Sequence, residues 1–327
     1  MKRSSTSLGL AIAALAAVTF GMSGAFIKPL LESGWSPAAA ASVRVLVGGI
    51  VLAPVAAITL RGRWSTLWRA RWRVLVMALV GVAGTQLVYF AALQRIPVGT
   101  AILIEYMAPL LLVGFVWATS RRMPKAVVFV GSLTAVAGLV LVVGPELLSS
   151  GGGSLDALGL VFAALAAVGC AVFYVVAARP SEGLPPVAFA ASGLLIGGLA
   201  LAFVGVIGVV PFSASFGDSR LLGSTVPWWV PILIVGVLAT AVAYAASITA
   251  SEMLGSRLAS FAGLLEVVAA ALYAWILLGE KLSASQLVGG VLILAGIAFV
   301  RSEKLPGRAV RVAAKPAAAQ YPPGARP

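Results

Sequence analysis

The sequence contains no histidine and a single cysteine, and only 10% of its 327 residues are charged. Without histidine, a His-Glu-x-x-His zinc site and a Ser-His-Asp triad are both excluded. The one cysteine, Cys170, permits no disulfide within the chain and no cysteine cluster for a metal. It lies in an apolar run and reads as a small packing residue. No Gly-Lys-Ser/Thr phosphate loop occurs. Asp156 and Asp218 are the only aspartates, and both fall between apolar runs. An intramembrane aspartyl hydrolase would need such a pair inside the runs. No cofactor or metal site is recognisable, and the chain is not read as an enzyme.

What is abundant is apolar surface. Apolar residues make up 61% of the chain, whereas charged residues alone reach roughly 25% in soluble domains. No aqueous core of this length hides so much, so a lipid bilayer is the expected solvent. The net charge is +13, and nucleic-acid binding is one meaning of a basic chain. Here the basic residues sit in short clusters between long apolar runs, which the positive-inside rule explains and nucleic acid does not.

A membrane-crossing helix needs about 20 mostly apolar residues. Ten runs qualify: 8–27, 38–60, 74–93, 98–119, 126–143, 158–178, 187–210, 228–250, 258–278 and 283–300. Gly34-Trp35-Ser36-Pro37 reads as a turn, an N-cap and a first-turn proline before span 2. Gly183-Leu184-Pro185-Pro186 does the same before span 7, and Gly151-Gly152-Gly153-Ser154 reads as a flexible linker. With the N-terminus in the cytoplasm, 18 of the 23 Lys/Arg residues fall on the cytoplasmic side. Four fall outside (Lys28, Arg95, Arg220 and Lys281), and Arg44 lies within span 2. The bias predicts an even number of crossings with both termini cytoplasmic. Trp64, Trp68 and Trp72 share the basic loop after span 2, as interfacial anchors do.

The chain repeats itself. Eight of ten positions match between residues 9–18 and 159–168. Lys2 and Arg3 before an apolar run resemble a signal peptide, but the second copy lies deep in the chain, so the first is expected to be a retained helix. Gly34, Pro37, Gly48 and Gly49 match Gly183, Pro186, Gly197 and Gly198. Val80-Gly81-Val82, Thr85 and Tyr89 match Val235-Gly236-Val237, Thr240 and Tyr244. Val130-Gly131 and Ala137-Gly138 match Val288-Gly289 and Ala295-Gly296. Spans 1–5 therefore correspond to spans 6–10. Five is odd, so the second half enters the membrane inverted. The expected fold is all-α, ten transmembrane helices in two inverted five-helix repeats. The first repeat is 8–143, a linker is 144–157, the second repeat is 158–301, and 302–327 is a disordered cytoplasmic tail. Inverted repeats are a common plan for secondary transporters.

Residues 255–301 resemble the second EamA domain of the drug/metabolite transporter superfamily. The likeness is carried by Leu264-Leu265-Glu266, Leu278-Gly279-Glu280-Lys281-Leu282-Ser283, Gln286, Gly289, Gly290 and Ala295-Gly296. The first half contributes Lys28-Pro29, Ser36-Pro37, Arg44 and the run Ile102-Leu103-Ile104-Glu105-Tyr106-Met107-Ala108-Pro109-Leu110. That run is similar to the branch of bacterial threonine/homoserine exporters. The resemblance implies ten helices, cytoplasmic termini, a central substrate cavity and transport of small metabolites; the expected function is export of an amino acid or similar small metabolite across the bacterial cytoplasmic membrane. Val267 stands where the family often has proline, and Arg121 and Arg122 occupy the first half's counterpart of the Gly-Glu positions.

Carboxylates inside spans are costly, at least about 2.5–3.5 kcal/mol on insertion scales, and usually face a bundle interior or watery cavity. Glu105 and Glu266 occupy matching spans. Each reads as a contact for a substrate amine or a proton site for exchange, or else as a structural carboxyl. Arg44 fits a substrate carboxylate through paired hydrogen bonds, or a snorkelling charge. Gln86 is too polar to face lipid. Tyr89 and Tyr244, at equivalent positions, would form symmetric cavity walls or ordinary packing. Tyr106 and Ser23 complete the lining set. Pro109 should loosen span 4 just past Glu105. The expected partners are a small-molecule metabolite and the lipid bilayer, with no nucleic acid; the sequence leaves room for a homodimer. The competing class is a lipid-handling flippase or a membrane-embedded enzyme using the same carboxylates.

Overall fold

The computed structural model describes residues 2–96, 98–121, 123–149, 156–179, 183–221, 223–278 and 283–302. Nearly all of them are helical. We number the long helices α1 (Lys2–Glu32), α2 (Pro37–Thr59), α3 (Arg71–Ala92), α4 (Val98–Glu105 and Ala108–Ser120) and α5 (Ala126–Ser149). The second set is α6 (Ala157–Ala177), α7 (Pro186–Val206), α8 (Trp229–Leu254), α9 (Ser256–Gly263 and Leu265–Leu278) and α10 (Ala284–Ser302). Among the described residues, eight helices are long and apolar enough to cross a membrane, and two apolar stretches, Ala126–Val142 and Ala284–Val300, are shorter. Large apolar side chains such as Ile50, Phe129, Leu199, Phe203 and Ile276 are exposed on the outside of the bundle. In water that surface would aggregate; lipid is the solvent that suits it. The chain is a multi-pass membrane protein.

The helix boundaries follow local chemistry. Ser36 caps α2 by accepting from the Ala39 N–H, and Pro37 takes the first turn, where a missing N–H costs nothing. Ser36 also exchanges hydrogen bonds with Ser213, and Trp35 Nε1 donates to the Ser215 carbonyl. These contacts tie the loop before α8 to the α1–α2 turn. That loop contains a feature not expected from the sequence, a two-stranded antiparallel hairpin of β1 (Ser219–Leu221) and β2 (Ser224–Val226). A short helix, Trp64–Arg69, precedes α3, and Trp64, Trp68 and Trp72 are all exposed. The glycine-rich linker (151–154), most of the Leu-Gly-Glu loop (279–282) and the tail from residue 303 lie outside the described residues.

Both α3 and α8 contain a π-helical segment, Met77–Gly84 and Val237–Val242. The first contains Val80-Gly81-Val82, and the second starts at Val237, the end of the stretch that the sequence repeat pairs with it. The Thr85 hydroxyl donates to the Val80 carbonyl five residues back, at 2.8 Å, satisfying an acceptor within the widened turn. Such segments often mark functional places.

The two halves interleave. α1 packs on α8 and α9, while α6 packs on α3 and α4; α2 lies along α7, and α5 along α10. Glycines set the close approaches. A Cβ at Gly138 would lie 2.5 Å from the Gly289 carbonyl oxygen, and one at Gly289 would lie 2.5 Å from that of Gly138. Gly131 and Gly296 face each other in the same way. In the central pair, Gly49 meets Leu195 and Gly198 meets Leu46.

Away from the bundle centre, Asp156 caps α6. Hydrogen bonds from the Gly159 and Leu158 N–H groups, then from Arg95 at 3.0 Å, hold its carboxyl below the usual carboxylate range. The sign follows from linkage: a depressed native value stabilises the fold above the ordinary aspartate range and loses that contribution as pH falls through the lowered value. The Asp156→Ala protein should therefore melt slightly lower than wild type at pH 7, with the gap closing under strong acid. Thermal melts in detergent at both pH values check this; a gap independent of pH would contradict it.

Candidate functional site

Breaks in two helices build the site. In α4 the proline at 109 has no N–H, so the Glu105 carbonyl loses its helical partner. The chain crosses the gap with tighter turns, Met107 N–H to the Ile104 carbonyl at 3.0 Å and Leu110 N–H to the Met107 carbonyl at 2.9 Å. Glu105 thus ends one half-helix, and Ala108 begins the next. α9 breaks without a proline. Its first piece ends at Gly263, Leu264 donates to the Phe261 carbonyl at 3.1 Å, and Glu266 stands in the first turn of the second piece. There the helix N-terminus favours negative charge. Gly263 has no room for a Cβ, because the Tyr174 hydroxyl of α6 occupies that space.

Between these breaks lies a cavity of about 150 Å³. It is bounded by α1, α3, α4, α6, α8 and α9, with Arg44 entering from α2. Of the residues singled out in the sequence, Glu105, Glu266, Arg44, Tyr106, Gln86, Tyr244 and Ser23 all line it. The side chains come from six helices, so no local pattern collects them. Arg44 lies close enough to both carboxylates to interact electrostatically, and the Tyr106 phenol faces Glu266. Arg44 Nη1 is also 3.5 Å from the Thr240 hydroxyl. Next to this charged group stands a wall of aromatic rings. Phe20 meets Tyr244 edge-on at 5.1 Å, Tyr244 meets Phe173 at 5.7 Å, and Phe173 meets Tyr174 at 5.2 Å.

Tyr89 is the exception. The structure does not bring it to the cavity, so the expected pair of symmetric tyrosine walls is reduced to Tyr244. Tyr89 lies one turn beyond Thr85 and Gln86, past the point where α6 closes onto α3, since a Cβ at Gly169 would meet Thr85. It packs beside Ala92, Ile96, Ala101 and Ala163 instead.

Sequence reasoning missed several lining residues. Cys170, read as a packing residue, lines the cavity, as do Thr85, Phe173, Tyr174, Ser247 and Ser260. Tyr174 carried a signal, a phenol deep in an apolar span; the serines and the cysteine carried none. A second space of about 10 Å³ continues past Phe20 and Tyr174 between Ala13, Ala17, Ala250, Ala259 and Gly263. It has room for about one water molecule. Among the described residues no cluster of side chains suits a metal ion.

The arrangement offers one guanidinium and two carboxylates in a space that suits a small molecule. An apolar cavity of about 150 Å³ holds one benzene; this one adds a basic and two acidic groups. Comparison with known proteins bears on its use. The EamA-like transporter family matches the chain over residues 7–144 and again over 157–302. An uncharacterized inner membrane transporter, YicL of Salmonella typhimurium, is 24% identical over 309 residues, covering 90% of this chain and 96% of that protein. A crystal structure superposes with a TM-score of 0.71 at 22% identity, over 89% of this chain and 96% of the other. At that identity the last comparison speaks for the fold alone.

Proposed function

The chain belongs to the EamA-like transporter family, and on that premise we propose that it exports a small amino-acid-like metabolite, of threonine or homoserine type, through the central cavity. The observation that carries this reading is the gathering of Arg44, Glu105 and Glu266 around one cavity of about 150 Å³. A zwitterion matches it: the substrate carboxylate goes to Arg44 in a forked pair of hydrogen bonds, and the ammonium goes to a glutamate. One negative charge is then left over. A proton on the second carboxyl balances it, which makes proton exchange the coupling this site favours.

The same reading takes all ten long helices as crossings. α5 has 24 residues and α10 has 19, which at 1.5 Å per residue is roughly 36 and 28 Å, enough for a hydrocarbon layer of about 30 Å. An in-plane two-fold axis relating the halves is supported by pairs of swapped contacts. The repeat pairs Gly131 with Gly289 and Gly138 with Gly296, and the packing pairs Gly131 with Gly296 and Gly138 with Gly289. A two-fold operation converts one contact into the other. A π-helical segment in each of the matched helices α3 and α8 supports it as well. The basic clusters favour an arrangement with both termini on the cytoplasmic side of a bacterial inner membrane.

The test is counterflow in proteoliposomes preloaded with pooled metabolites that include threonine and homoserine. Saturable exchange accelerated by an opposing proton gradient is the expected result. No exchange with any pool, in folded protein, would move the reading to lipid substrates.

A further inference from the structure

We propose that Arg73 and Glu252 form a latch that holds two helix groups together at one end of the bundle and keeps the central cavity closed on that side. The inference rests on the cavity being the transport path. It does not depend on which metabolite is carried, or on a proton.

The packing defines the two groups. One is α1 with α8 and α9; the other is α6 with α3 and α4. The cavity lies between them. The small continuation past Tyr174 runs toward the ends of the helices that carry the Arg61, Arg63, Arg69 and Arg71 cluster. Ala13, Ala17, Ala250, Ala259 and Gly263 line it. Phe20 and Tyr174 stand at its head, and Ile248 of α8 shares a buried cluster with Val74 of α3 and Val176 of α6, so closure here relies on close approach of the groups. Whatever holds those ends together therefore decides whether the path is open.

Arg73 is placed to do so. It sits at the start of α3, and its guanidinium donates to the Val176 carbonyl at 3.1 Å and the Ala177 carbonyl at 3.5 Å. These are among the last carbonyls of α6, which have no partner within their own helix and carry the negative end of its dipole. The same group lies 4.5 Å from the centre of the Phe189 ring of α7. It also reaches across the divide, to Glu252 near the end of α8 at 3.4 Å. The two side chains are only 12% and 18% exposed, so water screens the pair far less than a surface ion pair. Arg73 is thus anchored to one group by α6 and joined to the other through Glu252, by a contact that can detach.

The opposite end is held differently. Carrying the Val80–Val235 pairing of the repeat back along the helix puts Trp228 at the position equivalent to Arg73. Trp228 stacks on Trp35 at 5.8 Å and meets Phe216 edge-on at 5.1 Å. One end is therefore closed by an ion pair and the other by an aromatic cluster. Removing the charge of Glu252 should release only the basic end.

Cys170 supplies the reporter, since it is the one cysteine in the sequence and lines the cavity. The experiment labels the full chain in oriented vesicles with a membrane-impermeant maleimide, applied from the side of the basic cluster. The expected result is slow labelling of wild type and labelling at least about tenfold faster in Glu252→Gln, the population shift that follows loss of a buried pair. Glu252→Asp, which keeps the charge, should label like wild type. Equal rates for wild type and Glu252→Gln, with melting temperatures unchanged, would overturn the latch. Should Glu252→Gln fail to fold, Arg73→Lys decides: it keeps the charge but cannot hold α6 and α8 at once, and a wild-type rate there overturns the latch equally. No substrate is present in this assay, so failed counterflow and a failed latch are separate results.

Discussion

Glu105→Gln protein in proteoliposomes is expected to exchange substrate about 100-fold more slowly than wild type, at equal reconstitution. The substitution keeps shape and volume and removes only the charge. Truncating one member of a buried charged contact costs about 2–5 kcal/mol, and each 1.4 kcal/mol is about a factor of ten. Glu105 is poorly placed to be a structural carboxyl: it ends its half-helix, and the helical partner of its own carbonyl has been removed by Pro109. Glu266 has the N-terminal turn of its second half-helix to support it. Its Gln variant should accordingly lose less transport than that of Glu105. Transport of wild-type speed in Glu105→Gln, with an unchanged dependence on pH, would remove Glu105 from the mechanism.

The second large effect is on stability. Gly138→Leu should destabilise the protein by about 3 kcal/mol, the upper end of the range for overpacking, and Gly289→Leu by as much. At both positions a Cβ would lie 2.5 Å from the facing backbone carbonyl, and backbone cannot swing aside as a side-chain tip can. α5 and α10 would have to separate along their whole crossing. Gly114 and Gly24 are the controls. Both are helical, and nothing lies within 4 Å of a Cβ built there. Alanine at either should be neutral or stabilising by about 0.5–1 kcal/mol, because glycine loses more backbone freedom on folding. Unfolding in detergent, followed by circular dichroism, separates the cases. Equal stability of Gly138→Leu and Gly114→Ala would contradict the crossing described here.

Much of the architecture was legible because membrane folding is dictated by segment-scale properties. Run length, hydropathy and charge placement do not depend on how helices meet, so the long helices lie close to the expected runs. Pro109 announced the break in α4 through its missing N–H. The equivalent break in α9 had no such mark: Val267 stands where a proline would have signalled it, and the break follows Gly263, whose Cβ space is taken by Tyr174. Tyr89 and Tyr244 looked interchangeable in the repeat. They are not: Tyr244 lines the cavity, while Tyr89 packs against a cluster that includes Ala163 of α6. The hairpin Ser219–Val226 was invisible for another reason: its short strands are held by a loop tied to Trp35 and Ser36, far away in the chain.

By itself, the sequence determined that this is a helical membrane protein with a duplicated plan, and that it carries costly charges inside its spans. Those conclusions rest on solvent preference, which acts on each segment separately. Which charges share a cavity was decided only by the tertiary structure. Arg44, Glu105 and Glu266 come from three helices, and Arg73 meets Glu252 across 179 positions of chain. Those meetings depend on glycine-lined helix crossings, where tenths of an ångström settle which side chains face each other, and a one-dimensional pattern holds no record of such distances.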